Sequence, residues 1–482
     1  MNIRHTIIGA LSVLLFTFAV AGAARGENGP YKGYNFVLTI RGNHDSIMYL
    51  GNYYAGKPYA FDTARIDKRG RFVFKRSDRV LNPGVYFFTN PSGNYVEFML
   101  YHEKPDFTFN TEERGWASSM EVKGSKQNIV FFDFHRINSA MYARADSLRL
   151  VFKDDSLYAV ARQRVVHEMD SIKERLIADN PQSLLAIIMN ATREVPVPRV
   201  DSTGRKLTDI ERWEYYMEHF FDNTKLDDDA IIRTPDAIFH QRLTRYLDVH
   251  LKNATPEIII KYVDNLIDKA KPSKENFRYL VHTIGDKYLQ SNIMSYDAVY
   301  VNIVQRYIAT GDAWWMSPSA VDENVKRATT WERILIGKPA PPLIMKDING
   351  TLHSLYGINH KYTLLVFWSP SCGHCKTMIP DLYKSYVSLK DRYDVEAFAV
   401  LSEPDESNRA KWKDFIEKHN LDWLNIDGGE ANLDWHEVYD VVTTPQIFLL
   451  DKDKKIVAKK LNARLFEYVL KAMEGEDVEP ID

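Results

Sequence analysis

The apolar residues of this chain change their period twice along its length, and that change constrains the fold more than any other feature. From about Tyr34 to Thr111 they fall in short aromatic and β-branched runs: YNFVLTI, SIMYLGNYY, GRFVFKR, GVYFFTN, YVEFMLY and DFTFNTE. Turn formers separate the runs: Gly42-Asn43, Lys68-Arg69-Gly70, Asn82-Pro83-Gly84 and Ser92-Gly93-Asn94. This spacing predicts a small β-sandwich over residues 30–115. Its tyrosines and phenylalanines are expected to pack across strands, not to line a binding face.

From about Ser125 to Trp331 the period becomes helical. Phe134, Ile137, Met141, Ala145 and Leu148 lie along one face of a helix. Ile259, Tyr262, Val263, Leu266, Ile267 and Ala270 follow the i, i+3, i+4, i+7 rule, with Pro256 where a first turn tolerates it. The pattern predicts an all-α domain over 125–331, with Trp213, Trp314 and Trp315 in its core. Its histidines lack the His-Glu-x-x-His spacing of a zinc protease.

From Ile336 onward the pattern is α/β, over residues 336–475. Tyr362 to Trp368 (YTLLVFW) is a continuous apolar run, as expected of a strand covered on both faces. A helix is expected from Cys372 through Leu389. DVEAFAVLS reads as a second strand, ESNRAKWKDFIEKHN as a helix, TPQIFLLDKDKKIVAKK as a hairpin and ARLFEYVLKAME as a closing helix. Residues 476–482 form an acidic tail, expected to fray.

The first residues carry a different signal. Arg4 and His5 precede an apolar run from Ile7 to Val20, then Ala21-Gly22-Ala23. That order predicts a secretory leader, residues 1–23, removed near Ala23. It contains no cysteine through which a lipid could be attached. A net charge of −3 gives no general attraction for nucleic acid.

Export sharpens the meaning of the cysteines, because exported proteins commonly collect structural disulfides. This chain has two cysteines, both in SPSCGHCKTMIP. A structural zinc site needs four ligands, and Cys372, Cys375 and His374 supply three. A disulfide closing so small a loop restrains the unfolded chain little. A redox pair at a strand-to-helix junction fits best. Cys372 is expected at the first helical turn, where unpaired N–H groups and the helix dipole stabilise a thiolate. Cys375 lies one turn deeper and can resolve a mixed disulfide. His374 adds a partly positive neighbour. No metal or cofactor is expected.

LLVFWSPSCGHCKTMIPDL resembles the active-site strand and helix of the thioredoxin superfamily. The likeness includes Trp368 before the motif and Pro380 after it, where the family's helix kinks. VVTTPQIFLLD resembles the family's cis-proline loop. That resemblance implies that Thr444 and Pro445 face the thiols and bind an extended substrate segment. IGKPAPPLIMKDINGTLHSL resembles the entry segment of the TlpA-like and ResA-like envelope thiol-disulfide oxidoreductases. The β and helical segments resemble uncharacterised domains that accompany such modules in Gram-negative envelopes. Two departures stand out: Val366 occupies the place of the buried acid of thioredoxins, and Met378 the place of a glutamate frequent in ResA-like proteins. Glu403 is a candidate substitute proton acceptor. Gly373-His374 matches the protein disulfide isomerase type and implies a less reducing pair. The peroxiredoxin signature Pro-x-x-x-Thr/Ser-x-x-Cys is absent, since Leu365 and Trp368 stand where its proline would be.

The resemblance implies a periplasmic thiol-disulfide oxidoreductase with Cys372 and Cys375 as its reacting pair and Gly373, His374, Trp368 and Pro380 tuning it. Its partners would be exported proteins with thiols or disulfides and a membrane-side redox protein that recycles the pair. The alternative is an envelope binding protein whose β and helical domains recognise a partner over a thioredoxin scaffold. Homodimerisation through the extra domains stays open, although no heptad or edge signal marks it.

Overall fold

A computed structural model describes residues 30–152 and 154–479 of the chain. The expected leader lies outside the described residues, as do positions 480–482 of the tail. No helix among the described residues is long and apolar enough to cross a membrane. The chain groups into two compact units, one of residues up to 253 with 264–279, the other of 254–263 with everything from 280. The division falls inside the segment read from sequence as one helical domain.

The first unit begins with eight strands: β1 (Tyr31–Arg41), β2 (Ile47–Tyr54), β3 (Lys57–Arg65), β4 (Arg71–Leu81), β5 (Gly84–Thr89), β6 (Tyr95–Leu100), β7 (Asp106–Glu112) and β8 (Glu121–Lys123). They form two four-stranded sheets, in the orders β4-β1-β7-β8 and β3-β2-β5-β6. The sandwich expected from the turn spacing is present, with β3 and β8 added to the six strands expected. Its core is aromatic. Phe98 meets Phe36 at 5.3 Å, Phe88 at 4.8 Å and Phe109 at 5.0 Å between ring centroids, so rings from both sheets interlock. Such pairs add about 0.5–1.5 kcal/mol each beyond area burial.

Helices α1 (Lys126–Val151), α2 (Asp155–Asp179), α3 (Leu184–Ala191), α4 (Asp209–His219) and α5 (His240–Arg245) follow. The side chain of Asn128, in the first turn of α1, pairs with the Met99 backbone of edge strand β6. It accepts from Met99 N and donates to Met99 O, both at 2.7 Å. A helix thus satisfies a strand edge that would otherwise be an open template. Further on, α1 and α2 pack through Met141, Val165 and Met169. Ile137, expected on the buried face, is 42% exposed. A two-helix contact is too narrow to cover the whole apolar stripe.

Helices α6 (Pro256–Ala270) and α7 (Lys274–Leu289) pass from one unit to the other. All six residues of the stripe predicted for α6 are buried. Helices α8 (Asp297–Ile303) and α9 (Pro318–Arg333) complete the helical region. The tryptophans expected in its core are not there: Trp314 is 53% exposed and Trp213 and Trp315 are half-buried. Trp314 and Trp315 stand in a turn after Gly311-Asp312, between the helical segments.

The C-terminal sheet has seven strands: β9 (Ile344–Asp347), β10 (Leu352–Ser354), β11 (Tyr362–Trp368), β12 (Val395–Leu401), β13 (Leu424–Ala431), β14 (Gln446–Leu450) and β15 (Ile456–Lys459). Helices α10 (Gly373–Tyr393), α11 (Glu406–His419), α12 (Trp435–Val438) and α13 (Ala463–Met473) accompany it. The strand order is β10-β9-β13-β12-β11-β14-β15, with β11 parallel to β12 and antiparallel to β14. The unbroken apolar run of β11 follows from burial on both faces. Leu364, Val366 and Trp368 enter the core on one face, Leu365 and Phe367 the core on the other. The start of the tail is held rather than frayed: Glu476 accepts from Arg392 and from the Tyr393 hydroxyl, both at 2.8 Å.

One buried ion pair fastens helix α8 to β15. Lys459 Nζ donates to Asp297 and, at 2.8 Å, to the carbonyl of Ile334. Both charged side chains are almost wholly buried, and burial pulls the pKa of Lys459 down although Asp297 opposes it. Removing one partner of such a pair strands the other charge. Asp297→Ala is therefore expected to cost about 3–5 kcal/mol of unfolding free energy in urea titrations, whereas Asp297→Leu combined with Lys459→Met costs much less.

Candidate active site

Strand β11 ends in the middle of the sheet and hands the chain through Ser369-Pro370-Ser371 to helix α10. Cys372 is the N-cap of that helix, with extended backbone (φ −71°, ψ 127°), and its Sγ accepts the N–H of Cys375 at 3.4 Å. Sulfur here does what a serine or aspartate oxygen usually does at a helix start. Cys372 is half-buried, whereas Cys375 is wholly buried among Trp368, Ile379 and Leu382. Both are free thiols.

The Thr444–Pro445 peptide is cis and immediately precedes β14, whose Gln446 pairs with Phe367 of β11. That register brings Thr444 to Cys372. The Cys372 thiol donates to the Thr444 carbonyl at 3.1 Å. Thus Cys372, Cys375, Thr444 and Pro445, far apart in sequence, gather at one end of the sheet.

The two sulfurs differ electrostatically. Burial works against ionisation of Cys372. Hydrogen bonds from the Thr444 side chain and the N–H groups of Cys375 and His374 outweigh it and bring the pKa below that of an ordinary thiol. Cys375 is pushed up to about 12, first by burial and further by its neighbour Cys372, against the Ser369 N–H. What His374 gives Cys372 is its backbone N–H; its side chain is exposed. Trp368 is wholly buried and packs on Phe415, with its indole N–H unpartnered. Pro380 lies inside α10 and withholds the N–H that the Lys376 carbonyl would accept.

Of the polar shell beside the thiols, sequence reasoning named Glu403 and missed Ser369, Ser371 and Asn408. The buried Ser369 directs its N–H to Cys375 and its hydroxyl to Glu403. Ser371 donates to Asn408 of α11, and the Trp368 carbonyl accepts Ser402 N at 2.9 Å. The only sequence signals were the serines flanking Pro370 and the acid after β12. Val366 and Met378 both pack in or against the apolar core around Cys375.

Residues 336–459 match the AhpC/TSA family, while 34–131 and 180–327 match two families described as domains of unknown function, DUF4369 and DUF5106. The chain is 30% identical over 148 residues to a protein named thiol-disulfide oxidoreductase ResA of Bacillus thuringiensis subsp. konkukian, covering 30% of this chain and 82% of that one. It is 27% identical over 113 residues to a thioredoxin-like protein of Haemophilus influenzae, covering 23% and 62%. The crystal structure of a thioredoxin-like protein from Bacteroides caccae superposes with a TM-score of 0.46 at 20% identity, covering 58% of this chain and 99% of that one.

The electrostatic difference has a direct chemical readout. In Cys375→Ser protein, the alkylation rate of Cys372 by iodoacetamide is expected to rise through a midpoint below the one the same thiol shows in denaturant. In Cys372→Ser protein, Cys375 is expected to stay unreactive at pH ~9 until denaturant exposes it.

Proposed function

The chain belongs to the thiol-disulfide oxidoreductases named ResA, with an AhpC/TSA thioredoxin-like module at residues 336–459, and from that premise we propose that it exchanges disulfides through Cys372 and Cys375. The observation that carries the reading is the asymmetry of the pair: one accessible sulfur with lowered pKa, one buried sulfur held protonated.

The steps follow from it. The Cys372 thiolate attacks one sulfur of a substrate disulfide, forming a mixed disulfide and releasing the other sulfur as thiolate. Cys375 then loses its proton and attacks Cys372 Sγ. The 372–375 disulfide forms and the second substrate thiol leaves, so two electrons pass from the pair to the substrate. Contact with the mixed disulfide lowers the proton affinity of Cys375, because the negative charge on Cys372 that raises it has gone. Run backward, the same steps oxidise a substrate dithiol. The pair's reduction potential and its recycling partner set the direction.

The Thr444 main chain beside Cys372 supports a substrate that binds in extended form. The leader read from sequence supports a periplasmic site of action on exported proteins, with the oxidised or reduced pair reset by a membrane-side redox protein. The β-sandwich and helical region serve in this reading to present the module to those partners.

Insulin reduction by dithiothreitol tests the proposal. Cys372→Ser is expected to bring the rate to the uncatalysed level. Cys375→Ser is expected to stall at the mixed disulfide and to accumulate covalent adducts with envelope proteins, visible on non-reducing gels. Undiminished turnover by Cys372→Ser would falsify it.

A further inference from the structure

The loop that carries Thr444 to Cys372 is held at its other end by a residue outside the thioredoxin-like module. Asp440 begins this loop in the left-handed region, at φ 53°, a conformation unusual for a residue with a side chain. Such conformations persist where their surroundings enforce them. Here the Asp440 carbonyl accepts from Gln446 Nε2 at 2.8 Å and from Val442 N at 2.9 Å. Its carboxylate accepts the indole N–H of Trp331 at 2.6 Å. Beyond Val441, which is buried, Val442 is 82% exposed and Thr443 is exposed, so the loop touches the protein body mainly at its two ends.

Trp331 is itself fixed. It sits in the last turn of α9, with its ring 5.1 Å from that of Tyr300, whose hydroxyl donates to Asn324 of the same helix at 2.8 Å. Three residues on, the Ile334 carbonyl accepts Lys459 Nζ, the cation buried with Asp297. The chain then runs along β15: Gly337 N donates to Ile456 O at 2.8 Å and Ile456 N to Lys338 O at 2.9 Å. Helix α9 therefore has little freedom relative to the sheet. Trp331 lies between the two matched segments, 180–327 and 336–459, and belongs to neither.

We propose that Trp331 is a positioning residue of the active site, which through Asp440 sets the loop that presents Thr444 to Cys372 and to the substrate. The helical region is on this account a working part of the redox site. Packing alone does not require this hydrogen bond: Trp331 is half-buried and phenylalanine would fill most of its volume. A neutral N–H given to a carboxylate is instead a directional, charge-assisted contact.

The inference rests on the reading of Cys372 as the attacking thiol, and its test separates the two. Full-length Trp331→Phe, Asp440→Ala and Asp440→Asn proteins are compared with the parent for insulin-reduction KM and kcat. In the Cys375→Ser background they are compared for the pH midpoint of Cys372 alkylation. Trp331→Phe and Asp440→Ala are expected to raise KM about tenfold, or ~1.4 kcal/mol, near the lower bound for a hydrogen bond to a charged group, with kcat within about twofold. Both are expected to move the Cys372 midpoint upward, because the Thr444 side-chain hydrogen bond that favours the thiolate is displaced. Asp440→Asn keeps an acceptor oxygen and tolerates the left-handed backbone, so it is expected to match the parent. Parental KM and midpoint in both Trp331→Phe and Asp440→Ala overturn the inference, even if their thermal stability falls. So does Asp440→Asn behaving like Asp440→Ala. If the parent fails to reduce insulin while the midpoint still moves with Trp331→Phe, the proposed function falls and the positioning role stands.

Discussion

One weak hydrogen bond organises the chemistry of this protein: the N–H of Cys375 pointing at the sulfur of Cys372. A helix start leaves N–H groups without partners, and something must accept them. In α10 the acceptor is the cap residue's own sulfur, so a requirement of the secondary structure becomes a stabilisation of the thiolate. The arrangement works because β11 is buried along its whole length and paired on both edges. Each of its seven residues is buried, alternately in the two cores, and the strand cannot slide without moving apolar side chains from one face to the other. Where the strand stops, the cap and the buried second sulfur are fixed. The apolar packing that holds Cys375 also raises its proton affinity, which is how one turn of helix makes two unlike thiols.

Around that centre the polar groups act as fasteners. Ser369, Ser371, Glu403 and Asn408 tie the turns after β11 and β12 to each other, and the Lys459–Asp297 pair ties α8 and the end of α9 to β15. Buried ion pairs give less net stability than their Coulomb attraction suggests, because both ions are desolvated. Their value here is directional. An apolar contact in the same place would permit several docking angles, whereas an ammonium shared between a carboxylate and a carbonyl permits few.

The parts of the fold that were legible in the sequence are those where local pattern and tertiary burial agree. YTLLVFW followed by Cys-Gly-His-Cys announced a buried strand and a capped helix, and the stripe of α6 announced its buried face. Strand β3 escaped because Lys57-Pro58 opens it and much of it faces solvent, so it lacks the apolar alternation of its neighbours. Strand β13 escaped because LNIDGGEA carries two glycines and two acids, and only its first half pairs with β12 while the rest meets β9 across a register shift. The thiol pair and Thr444-Pro445 could be named from motif resemblance. The contact of Trp331 with Asp440 could not, since 109 positions separate them and neither belongs to a motif. His374 was named for its ring, while the group that reaches the sulfur is its main-chain N–H.

The placement of β1 has a consequence for biogenesis. This first strand is interior to its sheet, with β4 on one side and, in parallel, β7 on the other, Asn35 lying opposite Asp106. The hairpins β2–β3 and β5–β6 close over short loops and form as soon as they are made. The slot beside β1 waits for a partner about seventy positions downstream, a long loop to close before any contact rewards it. A polypeptide emerging amino end first, whether from a ribosome or through a translocation pore, exposes one unpaired flank of that strand throughout the interval. Assembly of the sandwich is thus a sequence-distant event, completed only after β7, through Glu112, has emerged.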